Sequence, residues 1–419
     1  MNTGKISEKV LKRSVLRQIM TEREEVLNGA GIGEDCAIFS FSDRYITSCM
    51  QEAVIRLKDD MEAVKYDAEP RITMTHLLKR CTNNLAAAGS QPVAVMITLF
   101  LPETLEEPDL KAFVVEAEET CKELSISIAG GQTRVSGRIT APIAVVTGFG
   151  TLPLPVGNAW NTAVNTGNAG YTAESAENPG HGTENVAGNV GYTAGNAGDI
   201  TRNAGHTISN AGHTISNAGH TTSNARHTAS NAAPGQDIVV SKWIGLEGTA
   251  LLARRYREDL LSRYPACLVD EAACFDRYLS VLPEAAAAVE FGVCAMHDVS
   301  EGGIFAALWE LAEAAGVGLT VDIKKLPLRQ ETVEICEHCN VNPYELLSGG
   351  SLIMTAEDGP GLTAWLRERQ IPAVIVGKVT DSNDRLLLNG DEVRYMDRPK
   401  RDEIYRVYTA CAEEREGIS

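Results

Sequence analysis

Apolar and polar positions recur along this chain with two distinct periods. Tyr45–Met50 and Pro92–Leu101 are short, strongly apolar runs that predict strands. Ile72–Ala88 and Glu106–Leu124 space their apolar residues three and four apart and predict helices. Ser125–Ala129 and Ile139–Phe149 predict two further strands. Past residue 234 the alternation resumes. Strands are expected at Asp237–Ser241, Val293–His297, Leu319–Ile323, Ser351–Thr355, Val374–Val379, Arg385–Leu388 and Glu392–Met396. Helices are expected at Gly248–Tyr264, Glu271–Phe291, Gly303–Ala315 and Gly361–Arg369. The fold class is therefore α/β (α+β), in two blocks covering residues 1–150 and 235–419. Met1–Leu27 sets Lys5, Lys9, Lys12, Arg13 and Arg17 beside Ile6, Val10, Leu11, Val15 and Ile19, which predicts an amphipathic helix with a solvated basic face.

Between the blocks, residues 151–234, the pattern lapses. Gly, Asn, Ala and Thr dominate, and a seven-residue unit repeats, opened by Asn203, Asn210, Asn217, Asn224 and Asn231. A coiled coil needs two apolar positions per heptad, and these units carry one at best. Each recurring Gly also disfavours a helix by about 1 kcal/mol. The expectation is a disordered surface loop whose removal leaves the fold intact. His206, His213, His220 and His227 share the period, as either a weak metal-binding tract or plain repeat expansion.

Charge narrows the function classes. The chain has 419 residues, with 56 acids against 38 bases and a net charge of −18. That argues against nucleic acid, which asks for a basic stripe, and against docking on anionic lipid. It is compatible with phosphate bound through a metal. No apolar run reaches the roughly 18 residues of a membrane span, and the charged start is unlike a signal peptide, so a cytoplasmic protein is expected. The ten cysteines, scattered through apolar stretches, suit reduced, buried thiols. Cys336-Glu337-His338-Cys339 is either two thiols on a helix or half a metal site with no second pair nearby.

Four segments carry candidate chemistry. Gly31-Ile32-Gly33-Glu34-Asp35 places two carboxylates on a tight glycine turn, a pattern suited to Mg²⁺ and phosphate or to a plain acidic turn. Gly130-Gly131-Gln132-Thr133 follows a strand and reads as a turn open to a ligand. His297-Asp298-Val299-Ser300-Glu301-Gly302-Gly303 leaves a strand and opens a helix whose first N–H groups suit an anion or simple capping. Asn83-Asn84 lies in a helix that ends at Gly89 and Pro92.

In order and spacing these segments resemble the aminoimidazole-ribonucleotide synthetase superfamily, which includes thiamine-monophosphate kinase, selenophosphate synthetase and the hydrogenase maturation factor HypE. Gly33-Glu34-Asp35-Cys36-Ala37 is similar to that family's nucleotide loop. Asn83-Asn84-Leu85-Ala86 is similar to its Asn-Asp-Leu-Ala helix, Gly130–Thr133 to its Gly-Gly-Asp/His-Thr turn, and Asp298 through Gly302-Gly303 to its Asp-x-Thr-x-Gly-Gly helix start. Gly245-Leu246-Glu247-Gly248-Thr249 and Leu347-Ser348-Gly349-Gly350-Ser351 also fit. HypE-like members fit best, although the chain lacks HypE's terminal Cys. The resemblance implies an N-terminal sheet domain that forms a barrel with a second copy (a homodimer) and a C-terminal α/β domain. It implies ATP between the domains, held by Gly31, Gly33, Glu34, Asp35, Asn84, Gly130, Gly131, Gln132, Thr133, Asp298, Gly302 and Gly303, with Mg²⁺ on Asp35 and Asn84. The implied reaction is ATP-dependent activation of an amide or carbonyl oxygen on an unknown small-molecule or protein-thiol substrate. A catalytically decayed binding module and a thiamine-monophosphate-kinase-like phosphotransferase are the alternatives. Met50, Asn84 and Gln132 stand where the family carries acidic or metal-binding residues, which weakens the implied Mg²⁺ site.

Overall fold

The computed structural model describes residues 8–18, 25–28, 31–41, 44–57, 69–152 and 227–416. The expected histidine tract at His206, His213 and His220 lies outside them. The N-terminal block runs α1 (Glu8–Ser14), β1 (Val26–Asn28), β2 (Ala37–Phe41), β3 (Arg44–Val54), α2 (Met74–Ala87), β4 (Gln91–Leu101), α3 (Glu107–Glu123), β5 (Ser127–Val135) and β6 (Ile143–Thr151). The C-terminal block begins with β7 (Asp237–Ser241), α4 (Leu246–Arg255), α5 (Arg257–Arg263), α6 (Ala266–Ala273), α7 (Leu282–Phe291), β8 (Ala295–Val299) and α8 (Gly303–Ala315). It continues with β9 (Gly318–Asp322), α9 (Gln330–His338), β10 (Ser351–Ala356), α10 (Gly359–Glu368), β11 (Ala373–Thr380), β12 (Arg385–Asn389), β13 (Glu392–Tyr395) and α11 (Glu403–Glu416).

Each block carries one sheet. The first has strand order β1-β2-β3-β6-β4-β5, antiparallel except for β4 with β5. The second has order β13-β12-β9-β11-β7-β10-β8, antiparallel except for β12 with β9. Three expected boundaries shift. The helix expected over Glu271–Phe291 breaks between α6 and α7, where Pro283 begins a new helix in its first turn. Gly248–Tyr264 likewise divides into α4 and α5. The Gly130-Gly131 pair is not a turn but lies inside β5, where a bulge shifts the register against β4 and a Cβ on Gly131 would fall 1.8 Å from the Ile97 carbonyl oxygen.

The two blocks meet through α2. Thr73 caps this helix by accepting from the His76 amide. Its apolar stripe, including Leu77, Leu78, Cys81 and Leu85, is buried against the first sheet with Val95, Ala144 and Val146. The stripe made by His76, Arg80 and Asn83, spaced four and three apart, faces the C-terminal block. His76 Nε2 lies 2.9 Å from Asp276. Arg80 meets Glu247 at 2.7 Å, and Glu247 is fully buried. Asn83 donates to the Leu279 carbonyl at 2.7 Å and accepts from the Val281 amide at 2.9 Å. The same core also contains Leu251, Leu260 and Ile335 of the C-terminal block and Ile404, Val407 and Tyr408 of its final helix.

The last repeat unit is part of this fold, which narrows the expected loop. His227 is buried, and its Nδ1 lies 2.8 Å from the Val293 carbonyl oxygen while its own carbonyl accepts from Met296. Ala229 and Ala232 are buried beside α8. A deletion that leaves the core whole therefore stops short of His227 rather than running on to Ala233.

Replacing Arg80 with Met leaves the Glu247 carboxylate buried without its partner, a change expected to cost about 3–5 kcal/mol. Adding Glu247→Leu is expected to restore much of that loss, because an apolar pair needs no counter-charge. Urea unfolding of the two single variants and the double variant measures the coupling; additive losses would contradict a direct pair.

Candidate functional site

Asp35 and His297 stand 262 positions apart in sequence and meet at 2.8 Å, Oδ2 to Nδ1. The first comes from the turn before β2, the second from the middle of β8. Gly33 makes the approach possible: its φ is +74°, and a Cβ there would fall 2.4 Å from the Glu310 carbonyl oxygen of α8. The second ring nitrogen of His297 lies 3.3 Å from Glu310 Oε2. The Asp298 amide donates to Asp35 Oδ2 at 3.4 Å. Glu34 accepts from Asn28 Nδ2 at 2.7 Å. Asn84 is held to the same loop through its backbone, where its carbonyl accepts from the Cys36 thiol at 3.1 Å.

Burial and pairing set the charges. Burial alone would lower the His297 pKa, but the Asp35 carboxylate and the hydrogen bonds to Asp35 and Glu310 outweigh it and push it up to about 10. His297 is thus an imidazolium held between two carboxylates. Burial, reinforced by the nearby Asp35 charge, drives the Asp298 carboxyl well above the usual range. Burial also raises Glu34, against the opposing hydrogen bond from Asn28. Asp298 Oδ1 and Glu247 Oε2 are both buried without a hydrogen-bond partner.

Two expected placements are made definite. The first turn of α8 was open to an anion or to simple capping. Asp402 caps it, accepting from the Gly302 amide at 2.6 Å and the Ile404 amide at 2.8 Å. Burial lifts the Asp402 pKa to about 7, against those backbone hydrogen bonds. Gly130, Gly131, Gln132 and Thr133 lie on β5, the edge strand, four strands from β2 in the order of the sheet. There they line a separate apolar groove of about 240 Å³ with Met74, Ile97 and Phe113. Met50, expected near the metal, is 60% exposed and pairs with Thr147, which in turn faces Met96.

Among the described residues no group of three His, Cys, Asp or Glu side chains is placed to hold a metal ion unaided, so a Mg²⁺ ion on this loop would take its remaining ligands from phosphate and water. Asp35, the main expected ligand, meets the His297 ring. A cleft of about 380 Å³ does open beside the loop, lined by Lys12, Leu16, Asn28, Gly31, Ile32, Glu34, Glu313 and Ala314. Lys12 forms an ion pair with Glu313 at its rim. Several contributors were not picked out from the sequence. Glu310 could have been noticed as one of two carboxylates, with Glu313, in a largely apolar helix, whereas nothing local marks Arg80 or Asp402.

The raised pKa of His297 fixes a pH window. Its stabilising contribution is complete below the unfolded value of 6.5 and is lost as pH rises toward about 10. Unfolding free energy measured in urea at steps from pH 6.5 to 10 is expected to fall in the native protein. It should fall much less in His297→Gln, which has no charge to lose; parallel curves would refute the assignment of charge among Asp35, His297 and Glu310.

Comparison with known proteins places the chain in a family. The family model for AIR synthase related protein, N-terminal domain, matches residues 33–152, and the C-terminal domain model matches residues 233–388. A putative hydrogenase expression/formation protein of Methanocaldococcus jannaschii is 24% identical over 412 residues, covering 96% of this chain and 97% of that one. The carbamoyl dehydratase HypE of Rhodobacter capsulatus is 30% identical over 149 residues, covering 35% of this chain and 42% of that one. The crystal structure of the hydrogenase maturation protein HypE in complex with ATP superposes with a TM-score of 0.58 at 16% identity, covering 96% of this chain and 97% of that one. The two matched segments take in the Asp35 loop, the α2 helix and the His297-Asp298 strand end, and the chain belongs to the AIR synthase related family.

Proposed function

We propose that this protein is a HypE-like enzyme that uses ATP to activate an amide or carbonyl oxygen for dehydration. The observation that carries the reading is the meeting of Asp35 with His297 and Asp298, which joins both family segments at one polar point beside an open cleft. The cleft volume lies within the range of small-molecule sites. In this reading the triphosphate enters between Lys12 and the Gly31–Glu34 turn. The Lys12 ammonium exchanges Glu313 for phosphate oxygens, and the His297 imidazolium offsets the carboxylates that would repel them. Transfer of the terminal phosphoryl group to the substrate oxygen turns that oxygen into a leaving group, and its departure as phosphate completes the dehydration.

A second reading also has an observation behind it. Asp35 is tied to His297, and the α8 N-terminus is closed by Asp402. A family member with those two positions engaged would serve as a binding module. Titration calorimetry with ATP separates the two. The enzyme reading expects a Kd in the micromolar range, about −8 kcal/mol, a loss of tenfold or more in Lys12→Ala, and slow release of ADP. Absence of heat at millimolar ATP would favour the module.

We also infer a homodimer built on the outer face of the first sheet. Met50, Val93, Met96 and Val135 are exposed there or along β5, the edge strand, an apolar surface that one chain leaves uncovered. A second copy is the occupant that the family resemblance supplies. Light scattering is expected to give twice the chain mass for the native protein and a single chain mass for Met96→Glu. A native monomer at tens of micromolar would overturn the dimer.

A further inference from the structure

Three thiols lie in line beneath the Asp35 loop. Cys49 on β3 is the middle member. Its Sγ is 3.6 Å from Cys81 Sγ on α2, and its thiol donates to the Cys81 carbonyl at 3.2 Å. Cys36, the residue after Asp35, donates its own thiol to the Asn84 carbonyl at 3.1 Å and lies close enough to Cys49 to perturb it. All three are buried, with Cys36 4% and Cys49 9% exposed and Cys81 fully covered. The space they fill is kept open by Gly148, directly across the ladder from Cys49, where a Cβ would fall 2.6 Å from Cys81 Sγ.

The group differs from the chain's other buried thiols. Burial pushes Cys121 up to about 11 and raises Cys336 further. Within the group, Cys36 is raised mainly by burial and Cys81 mainly by its contact with Cys49, and Cys49 alone moves down, held by its contacts with Cys36 and Cys81 against burial. A metal does not account for the arrangement, since no set of three ligating side chains among the described residues is placed to hold one.

We propose that Cys49 and Cys81 are a reactive pair that small peroxides close reversibly into a disulfide, tying β3 to α2. The Cys49 sulfur attacks one peroxide oxygen. The O–O bond breaks, and the departing hydroxide takes up the thiol proton as water, leaving Cys49 as a sulfenic acid. The Cys81 sulfur then attacks the Cys49 sulfur. The S–O bond breaks and a second water leaves with the Cys81 proton. Two thiols and one hydrogen peroxide thus give one disulfide and two waters, and a dithiol reductant reverses the change. Cys36, in contact with Cys49, is the alternative resolving thiol.

The test uses the full chain, reduced, desalted and treated with hydrogen peroxide. Free thiols are then alkylated in denaturant, and peptides are mapped by mass spectrometry without reduction. The expected product is a Cys49–Cys81 linked peptide that disappears after dithiothreitol. Cys81→Ala is expected to yield a Cys36–Cys49 link, and Cys49→Ala to yield neither, with circular dichroism melting confirming that each variant is folded. If a variant does not fold, the native map decides alone. Oxidation confined to the exposed Cys267 and Cys274, with Cys49 and Cys81 recovered as alkylated thiols, would overturn the proposal.

Discussion

Everything in this architecture leans on one helix that has no solvent face to spare. Eleven residues of α2 are buried, so its polar side chains must find partners inside the protein. They find them in the other block: Asp276 for His76, Glu247 for Arg80, and the Leu279 and Val281 backbone for Asn83. A purely apolar stripe would also bury surface, but it would tolerate sliding. Directional partners at three successive positions allow one register, and that register fixes how the Asp35 loop meets β8. The same helix carries Cys81 and Asn84, which touch that loop's own neighbours. Packing, block orientation and site geometry are therefore settled together.

The site that results is unusual in its charge. The acid-rich loop meets a cationic side chain of the protein itself. His297 is covalently fixed in β8, so its charge is present without a binding step. Burial beside it drives the Asp298 carboxyl up, which favours its uncharged form and eases the crowding of carboxylates. The cost of this economy is that Asp35 has less freedom to turn toward anything else.

Much of the fold was legible in the sequence because most elements are half-buried and announce their period. The strands at Tyr45, Pro92 and Asp237 and the helices at Ile72 and Gly303 appear close to where the pattern predicts them. The misses have physical causes. Gly130-Gly131 reads as a turn because glycine usually permits one; here it permits a bulged strand to press against Ile97, and close packing leaves no local signature. Helix α11 was missed because its charged residues hide a short buried stripe of Ile404, Val407 and Tyr408. In the site, the Asp35 loop and the Asp298 segment were visible as motifs, and only the family resemblance implied that they converge. Arg80, Glu310 and Asp402 were not, because each matters only through a partner far away in sequence.

Asp402 and the helix that follows it bear on how the protein is made. A ribosome delivers the N-terminal block first, but the core of that block includes Ile404, Val407 and Tyr408, and the α8 N-terminus waits for the Asp402 carboxylate. Until residues 402–408 are made, the earlier part of the molecule carries an apolar gap and an uncapped helix. The order of translation and the order of folding therefore run against each other here, since the first block to be made is finished by residues made about 250 positions later.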